Sequence, residues 1–233
     1  MQEVSQELLQ SFRAPAYPGS LFLSFEGIEG AGKSSQLKRT TEYLEEKGYR
    51  VLVLREPGGT TFGERLRKAI LETNKELHPL AEAHLFASAR AQLLYEVVMK
   101  ELEKGGTAII CDRYIDSSLA YQGIGRNLGF NAILQMHSLF PLNLVPHLTF
   151  YFRIDLETSY ARQKMRNAPK DYFESQGGEF YKKLIAGYDK AAEIFPNRIK
   201  TIDGNRDMET VFSDVRSLLD QLIHSINTNS GQA

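Results

Sequence analysis

The sequence predicts an α/β domain, built on a five-stranded parallel sheet with helices on both faces. Three observations carry that prediction. Short apolar runs recur along the chain, nearly continuous in Val, Ile, Leu and Phe, as strands covered on both faces are. Stretches of helical length, free of Gly and Pro, alternate with them. The first run passes directly into a glycine-rich turn that opens a helix. Size agrees with one domain: 233 residues, 42% hydrophobic and 24% charged, long enough to bury roughly 70% of the unfolded surface.

The elements follow in order. Residues 1–20 contain Glu3 and Glu7 but no basic start or apolar stretch, so they read as a frayed or partly helical, flexible extension and not a secretory signal. Pro15, Pro18 and Gly19 punctuate the chain, and the domain proper spans residues 21–228, leaving 229–233 as a tail. Leu21–Glu26 (LFLSFE) is the first strand. A helix opens at Lys33 and stops at Gly48. Residues 49–55 (YRVLVLR) form the second strand, ended by the turn Glu56-Pro57-Gly58-Gly59. Residues 61–72 are helical. A longer helix runs over 79–104, with Pro79 at its first turn and Gly105-Gly106 after its end. Residues 107–111, 147–154 (HLTFYFRI) and 198–202 are the third, fourth and fifth strands, and the last helix covers 207–226. No repeat or linker interrupts this order.

Composition excludes several partners. With 28 Lys+Arg against 29 Asp+Glu the net charge is −1, which argues against nucleic acid as the main partner. No run approaches the ~20 apolar residues that span a bilayer, so no membrane is expected. The lone Cys111 cannot form an internal disulfide and sits in an apolar run, fitting an inert thiol and a cytoplasmic setting. The five histidines show no metal spacing.

The strongest chemical signal is Gly27-Ile28-Glu29-Gly30-Ala31-Gly32-Lys33-Ser34-Ser35, a G-x-x-x-x-G-K-[ST] phosphate loop between strand and helix. Its glycines let the backbone close round an anion with N–H groups pointing inward. Lys33 would neutralise the β/γ-phosphates, and the Ser34 hydroxyl would complete a Mg²⁺ shell. The fold is thus the P-loop NTPase fold. Ligands in open parallel sheets bind beyond the carboxyl ends of the strands. Two arginines fall there, Arg55 before Glu56-Pro57 and Arg113 in Asp112-Arg113-Tyr114. Alone, each is an ordinary surface ion-pair partner; beside a phosphate loop they can grip a second anion. Phe86 and Arg90 share a helix face at i and i+4, where a ring can stack on a base and a guanidinium can donate to its carbonyl. The plain alternative is a core Phe and a surface Arg. Ser118, Tyr121 and Gln122 add hydroxyl, aromatic and amide groups suited to base and sugar.

GIEGAGKS, REPGG, FASAR, DRYIDSSLAYQG and the basic segment 162–170 stand in the order and spacing of bacterial thymidylate kinases, which the chain resembles over about residues 21–225. Related deoxynucleoside kinases usually carry E-R-S where this chain has DRY. The resemblance implies transfer of the γ-phosphoryl of ATP to dTMP, with Mg²⁺, by a homodimer. It implies that Arg55 and Arg113 hold the dTMP 5′-phosphate, Arg113 also close to the transferred group, that Pro57 belongs to the dTMP site, and that Phe86 stacks on thymine. Arg90 would donate to O4, Ser118 and Gln122 would meet the base edge, and Tyr121 would exclude a 2′-hydroxyl. Glu29 would reach the acceptor's 3′-hydroxyl, and Asp112 would help hold Mg²⁺. Alternatives are a kinase for another nucleoside monophosphate or a deoxynucleoside, or a nucleotide-binding protein without transfer.

Segment 157–174, with Arg162, Lys164, Arg166 and Lys170, resembles the small mobile lid that closes over ATP. Members with Gly at position 30 place a catalytic arginine in this lid. Arg166 is the first candidate and Arg162 the second. One departure stands out: the family's late-lid D-R-x-E reads Asp171-Tyr172-Phe173-Glu174 here.

Overall fold

The computed structural model describes residues 4–72, 76–166 and 177–230. Its sheet has five parallel strands in the order β2-β3-β1-β4-β5: β1 (Leu21–Glu26), β2 (Arg50–Arg55), β3 (Thr107–Asp112), β4 (Leu148–Arg153) and β5 (Ile199–Asp203). The α/β prediction is met. Every residue of the central β1 is buried, and its alternation divides two cores. Leu21, Leu23 and Phe25 pack with α2 (Lys33–Glu46), α9 (Gly178–Ile194) and α10 (Met208–Ser230). Phe22 packs on the other face against Leu93, Leu94 and Leu102. The apolar residues of β1, β3 and β4 are buried, which is why those runs read as continuous, whereas the edge strand β2 leaves Val53 half exposed.

The single helix expected over 79–104 is α4 (Pro79–Leu93), a π-wound stretch Leu94–Val98 and α5 (Met99–Leu102). Helix α3 (Thr61–Leu71) stands where expected, capped by the Thr60 hydroxyl. Four further helices go beyond the sequence reading: α6 (Ile115–Ser118), α7 (Phe130–Met136), α8 (Leu156–Arg166) and α9. A second π-wound stretch, Leu119–Gly125, continues α6 and carries Tyr121 and Gln122. Glycines obscure the π-wound stretch (Gly123, Gly125) and α9 (Gly178, Gly187), because Gly lowers helix propensity by about 1 kcal/mol, while α6 and α7 are only four and seven residues long. Packing explains them. A Cβ on Gly187 would lie 2.7 Å from the Ala120 Cα, so α9 touches the π-wound stretch backbone to backbone.

Residues 4–20, read from the sequence as a frayed or partly helical, flexible extension, include a short helix and lie against the domain. Helix α1 (Gln6–Gln10) is capped by Ser5, and Phe12 meets Phe195 edge to face at 6.4 Å. Arg13 forms a parallel bridge with Leu144.

Candidate active site

The site forms at the carboxyl edge of the sheet, where β1 is flanked by strands that the chain reaches in opposite directions. Gly27 leaves β1 with φ 137°, and a Cβ there would lie 2.5 Å from the Phe152 carbonyl oxygen; no other residue fits. Gly30 and Gly32 also take positive φ, and Gly32 caps α2 without a side-chain hydrogen bond. The first turn of α2 therefore keeps its N–H groups for an anion. Lys33 is buried, and its Nζ donates to the Gly27 and Ile28 carbonyls at 3.0 and 3.3 Å. Burial, and then the nearby Arg113 charge, lower its pKa to about 8, while Asp112, Glu29 and Glu26 pull the other way.

Strand register places Arg55 directly beside Asp112, and Asp112 beside Phe25. Arg55 is exposed and 3.8 Å from Glu64. Arg113 has φ 70°, and its Nη1 donates to the Tyr188 hydroxyl at 2.9 Å and to Ser117 Oγ at 3.3 Å. Its guanidinium stands over the Tyr121 ring at 5.2 Å. Beneath it, fully buried Glu26 accepts from the Tyr114 N–H at 2.7 Å and from Ser117 Oγ at 2.6 Å. Burial and then Asp116 raise the Glu26 pKa to about 8.

A cleft of about 710 Å³ joins these groups. Its wall includes Glu29 to Ser35 of the loop, Arg55, Pro57, Phe86, Asp112, Arg113, Ser118, Tyr121, Gln122 and Arg162. Three expected residues sit otherwise. Gly27 and Ile28 form the floor behind the loop. Arg90 is 1% exposed behind the wall, where Nε donates to Glu56 Oε2 at 2.8 Å and Nη1 reaches Ser118 Oγ at 3.1 Å and His137 Nε2 at 2.7 Å. Of the two lid arginines, Arg162 is on the wall, and its Nη1 donates to the Gly30 carbonyl at 3.1 Å. Ser159 Oγ donates to the Glu29 carbonyl at 2.7 Å, seating α8 on the loop. The Arg166 side chain, Lys170 and residues 171–174 lie outside the described residues.

Sequence reasoning missed Arg67, Glu56, Ser117, Tyr181 and Tyr188. Arg67 lines the cleft and donates to the Pro57 carbonyl at 3.2 Å. Its signal was Gly63, one turn earlier on the face of α3 that meets the turn: a Cβ there would lie 2.8 Å from the Gly58 carbonyl oxygen. The tyrosines come from α9 and carried no motif.

A phosphate loop facing a second basic cleft across one sheet edge defines a P-loop kinase for a small phosphorylated acceptor. A family model described as thymidylate kinase matches residues 25–215. The thymidylate kinase of Thermoanaerobacter sp. (strain X514) is 40% identical over 194 residues, covering 83% of this chain and 94% of that one. That of Thermosipho africanus (strain TCF52B) is 36% identical over 205 residues, covering 88% and 100%. The crystal structure of thymidylate kinase from Ehrlichia chaffeensis is 31% identical with a TM-score of 0.70, covering 87% of this chain and 100% of that one. The chain belongs to the thymidylate kinase family.

Proposed function

We propose that the cleft aligns Mg²⁺-ATP on the phosphate loop with dTMP held between Arg55, Arg113 and Phe86. The reaction follows from family membership: the γ-phosphoryl group of ATP passes to dTMP, giving dTDP and ADP. The observation that supports this layout is the register of β2 and β3. It sets Arg55 beside Asp112, with Arg113 next in the chain, so an anion grip and the phosphate loop share one cleft.

Little covalent chemistry is asked of the chain. A nucleoside monophosphate with a second pKa near ~6 is largely a dianion at pH 7, so its oxygen attacks the γ-phosphorus without a general base. Lys33, Arg113 and Arg162 spread positive charge over the transferring group, and the loop N–H groups hold the triphosphate. Arg55 and Arg67 grip the acceptor phosphate, and Glu29 faces its sugar. Phe86 stacks on thymine, Ser118 and Gln122 meet its edge, and Tyr121 crowds the 2′ position. Arg90 acts on O4 from behind Ser118.

Asp112 Oδ1 is buried with no hydrogen-bond partner among the described residues, and Ser34 opens α2 on the same wall, a donor set that fits Mg²⁺. Bound there, the ion would neutralise β- and γ-phosphate oxygens. Homodimerisation and a cytoplasmic location complete the proposal on family grounds. No helix among the described residues is long and apolar enough to cross a membrane.

Coupled ADP release tests the layout, with dTMP, dUMP, TMP, dCMP, dGMP and thymidine as acceptors. Fast turnover with dTMP, less with dUMP and almost none with the others is expected. Preference for a purine acceptor would overturn the assignment of Phe86, Arg90 and Tyr121.

A further inference from the structure

Glu82, in the first turn of α4, is fully buried one helical turn before Phe86. Its Oε1 accepts from Gln122 Nε2 at 2.9 Å. Arg126 supplies its counter-charge, with Nε 3.2 Å and Nη2 3.2 Å from Oε2, and packs its guanidinium over the Phe180 ring at 5.0 Å. Gln122 is itself 1% exposed, yet it lines the cleft.

We propose that Glu82 is a specificity-determining positioning residue: it turns the Gln122 amide so that the oxygen, and not the NH₂ group, faces the acceptor's base. This assignment rests on the dTMP-binding reading of the cleft. A carboxylate paired with arginine offers only acceptors, so the amide must present its NH₂ to Glu82. The flipped amide would set two oxygens against each other in a buried place and leave one unsatisfied. Gln122 therefore offers the cleft an acceptor, beside Ser118, whose hydroxyl accepts from Arg90 at 3.1 Å and so keeps its own proton to donate. Thymine and uracil match that pattern, with N3–H donating and O4 accepting. Cytosine reverses both, with a lone pair at N3 and an amine at C4. Glu82 touches no substrate; it acts through Gln122.

The test compares kcat/KM for dTMP, dUMP and dCMP, using the full-length chain with Mg²⁺-ATP, in wild type and Glu82→Gln. A glutamine at 82 can donate or accept, so Gln122 is free to turn over. The dTMP:dCMP ratio is expected to fall at least tenfold while dTMP:dUMP stays within twofold, because uracil also carries N3–H. An equal loss for all three acceptors would make Glu82 merely structural and overturn the proposal. Glu82→Leu with Arg126→Leu removes both partners without stranding a charge, and the same selective shift is expected. The wild type provides a variant-free arm: N3-methyl-dTMP should be used at least tenfold less well than dTMP, and equal use overturns the proposal. A wild type that ignores dTMP altogether would instead sink the reading of the cleft.

Discussion

Arg113 holds its side chain on left-handed backbone, φ 70°, which residues with a Cβ adopt only where the surroundings impose it. Here its N–H donates to the Phe25 carbonyl at 3.0 Å, while Tyr188 and Ser117 hold the guanidinium. Arg113→Ala keeps the same backbone demand and removes only the charge. Turnover is expected to fall on the order of 10³-fold, with ATP affinity changed a few-fold, by initial rates and calorimetry. Wild-type turnover would remove Arg113 from the transfer step. His137 belongs to the same scale. Arg90 can only donate, so His137 Nε2 accepts from it, and the proton sits on Nδ1 facing the Ile133 carbonyl at 2.8 Å. Burial, and then the Arg90 charge, push its pKa down to about 3. Its pKa is near 6.5 when unfolded, so between pH 6.5 and 3 the unfolded chain binds the extra proton. Stability is therefore complete above pH 6.5 and falls with acid by up to about 1.4 kcal/mol per pH unit. His137→Gln can still accept from Arg90 and donate to Ile133 without titrating. Urea unfolding at pH 7, 5.5 and 4 should show a flatter acid limb, and an unchanged slope would refute this.

Helix α9 is the element on which site and scaffold meet. It brings Tyr181 and Leu184 to the cleft wall and the Tyr188 hydroxyl to Arg113, and it rests on the π-wound stretch 119–125. Gly187 is the contact point, next to Tyr188. Gly187→Ala gains helix propensity, but its Cβ would lie 2.7 Å from the Ala120 Cα and 3.2 Å from the Ala120 oxygen. Backbone cannot yield as a flexible side chain does, so α9 must lift, at about 1–3 kcal/mol. A lower Tm together with a raised KM for dTMP is expected, since lifting α9 draws Tyr188 from Arg113 and moves Tyr121's neighbours. Stabilisation by the alanine, or a lower Tm with unaltered kinetics, would count against this coupling. The same element shows where sequence reading stops. The phosphate loop, the turn after β2 and the end of β3 were legible because each motif is short and its geometry local. Gly27, Arg55 and Asp112 follow from strand ends alone. Tyr188 lies 75 residues from Arg113 along the chain, and only the packing of α9 on the π-wound stretch brings them together. Arg90 shows the complementary limit. Helical spacing places it rightly on the Phe86 face, but not Glu56 and His137, which draw it behind the wall.

On the scale of the whole molecule, chemistry and the amino-terminal extension occupy opposite edges of one sheet. The family match spans residues 25–215, and α1 and the run that follows lie before it. They meet the segments entering the last two strands. Arg13 N donates to the Asn143 carbonyl at 3.2 Å, Val145 N donates to the Arg13 carbonyl at 3.1 Å, and Phe12 packs on Phe195. Residues 143–145 precede β4 and Phe195 precedes β5, so these contacts lie at the amino edge, away from the cleft. Leu8, Leu9 and Phe12 are each partly buried against the core. Losing a few partly buried contacts of this kind ordinarily costs on the order of 1–2 kcal/mol, which for a chain of this size corresponds to a Tm shift of roughly 2–8 °C. Deleting residues 1–14 is therefore expected to lower Tm by that amount while kcat and the dTMP:dCMP ratio stay within twofold of the full chain. Scanning calorimetry with steady-state assays on both proteins checks this. A changed ratio at unchanged Tm would mean that the extension acts on the cleft through the strands, and not as a clamp on the edge where they begin.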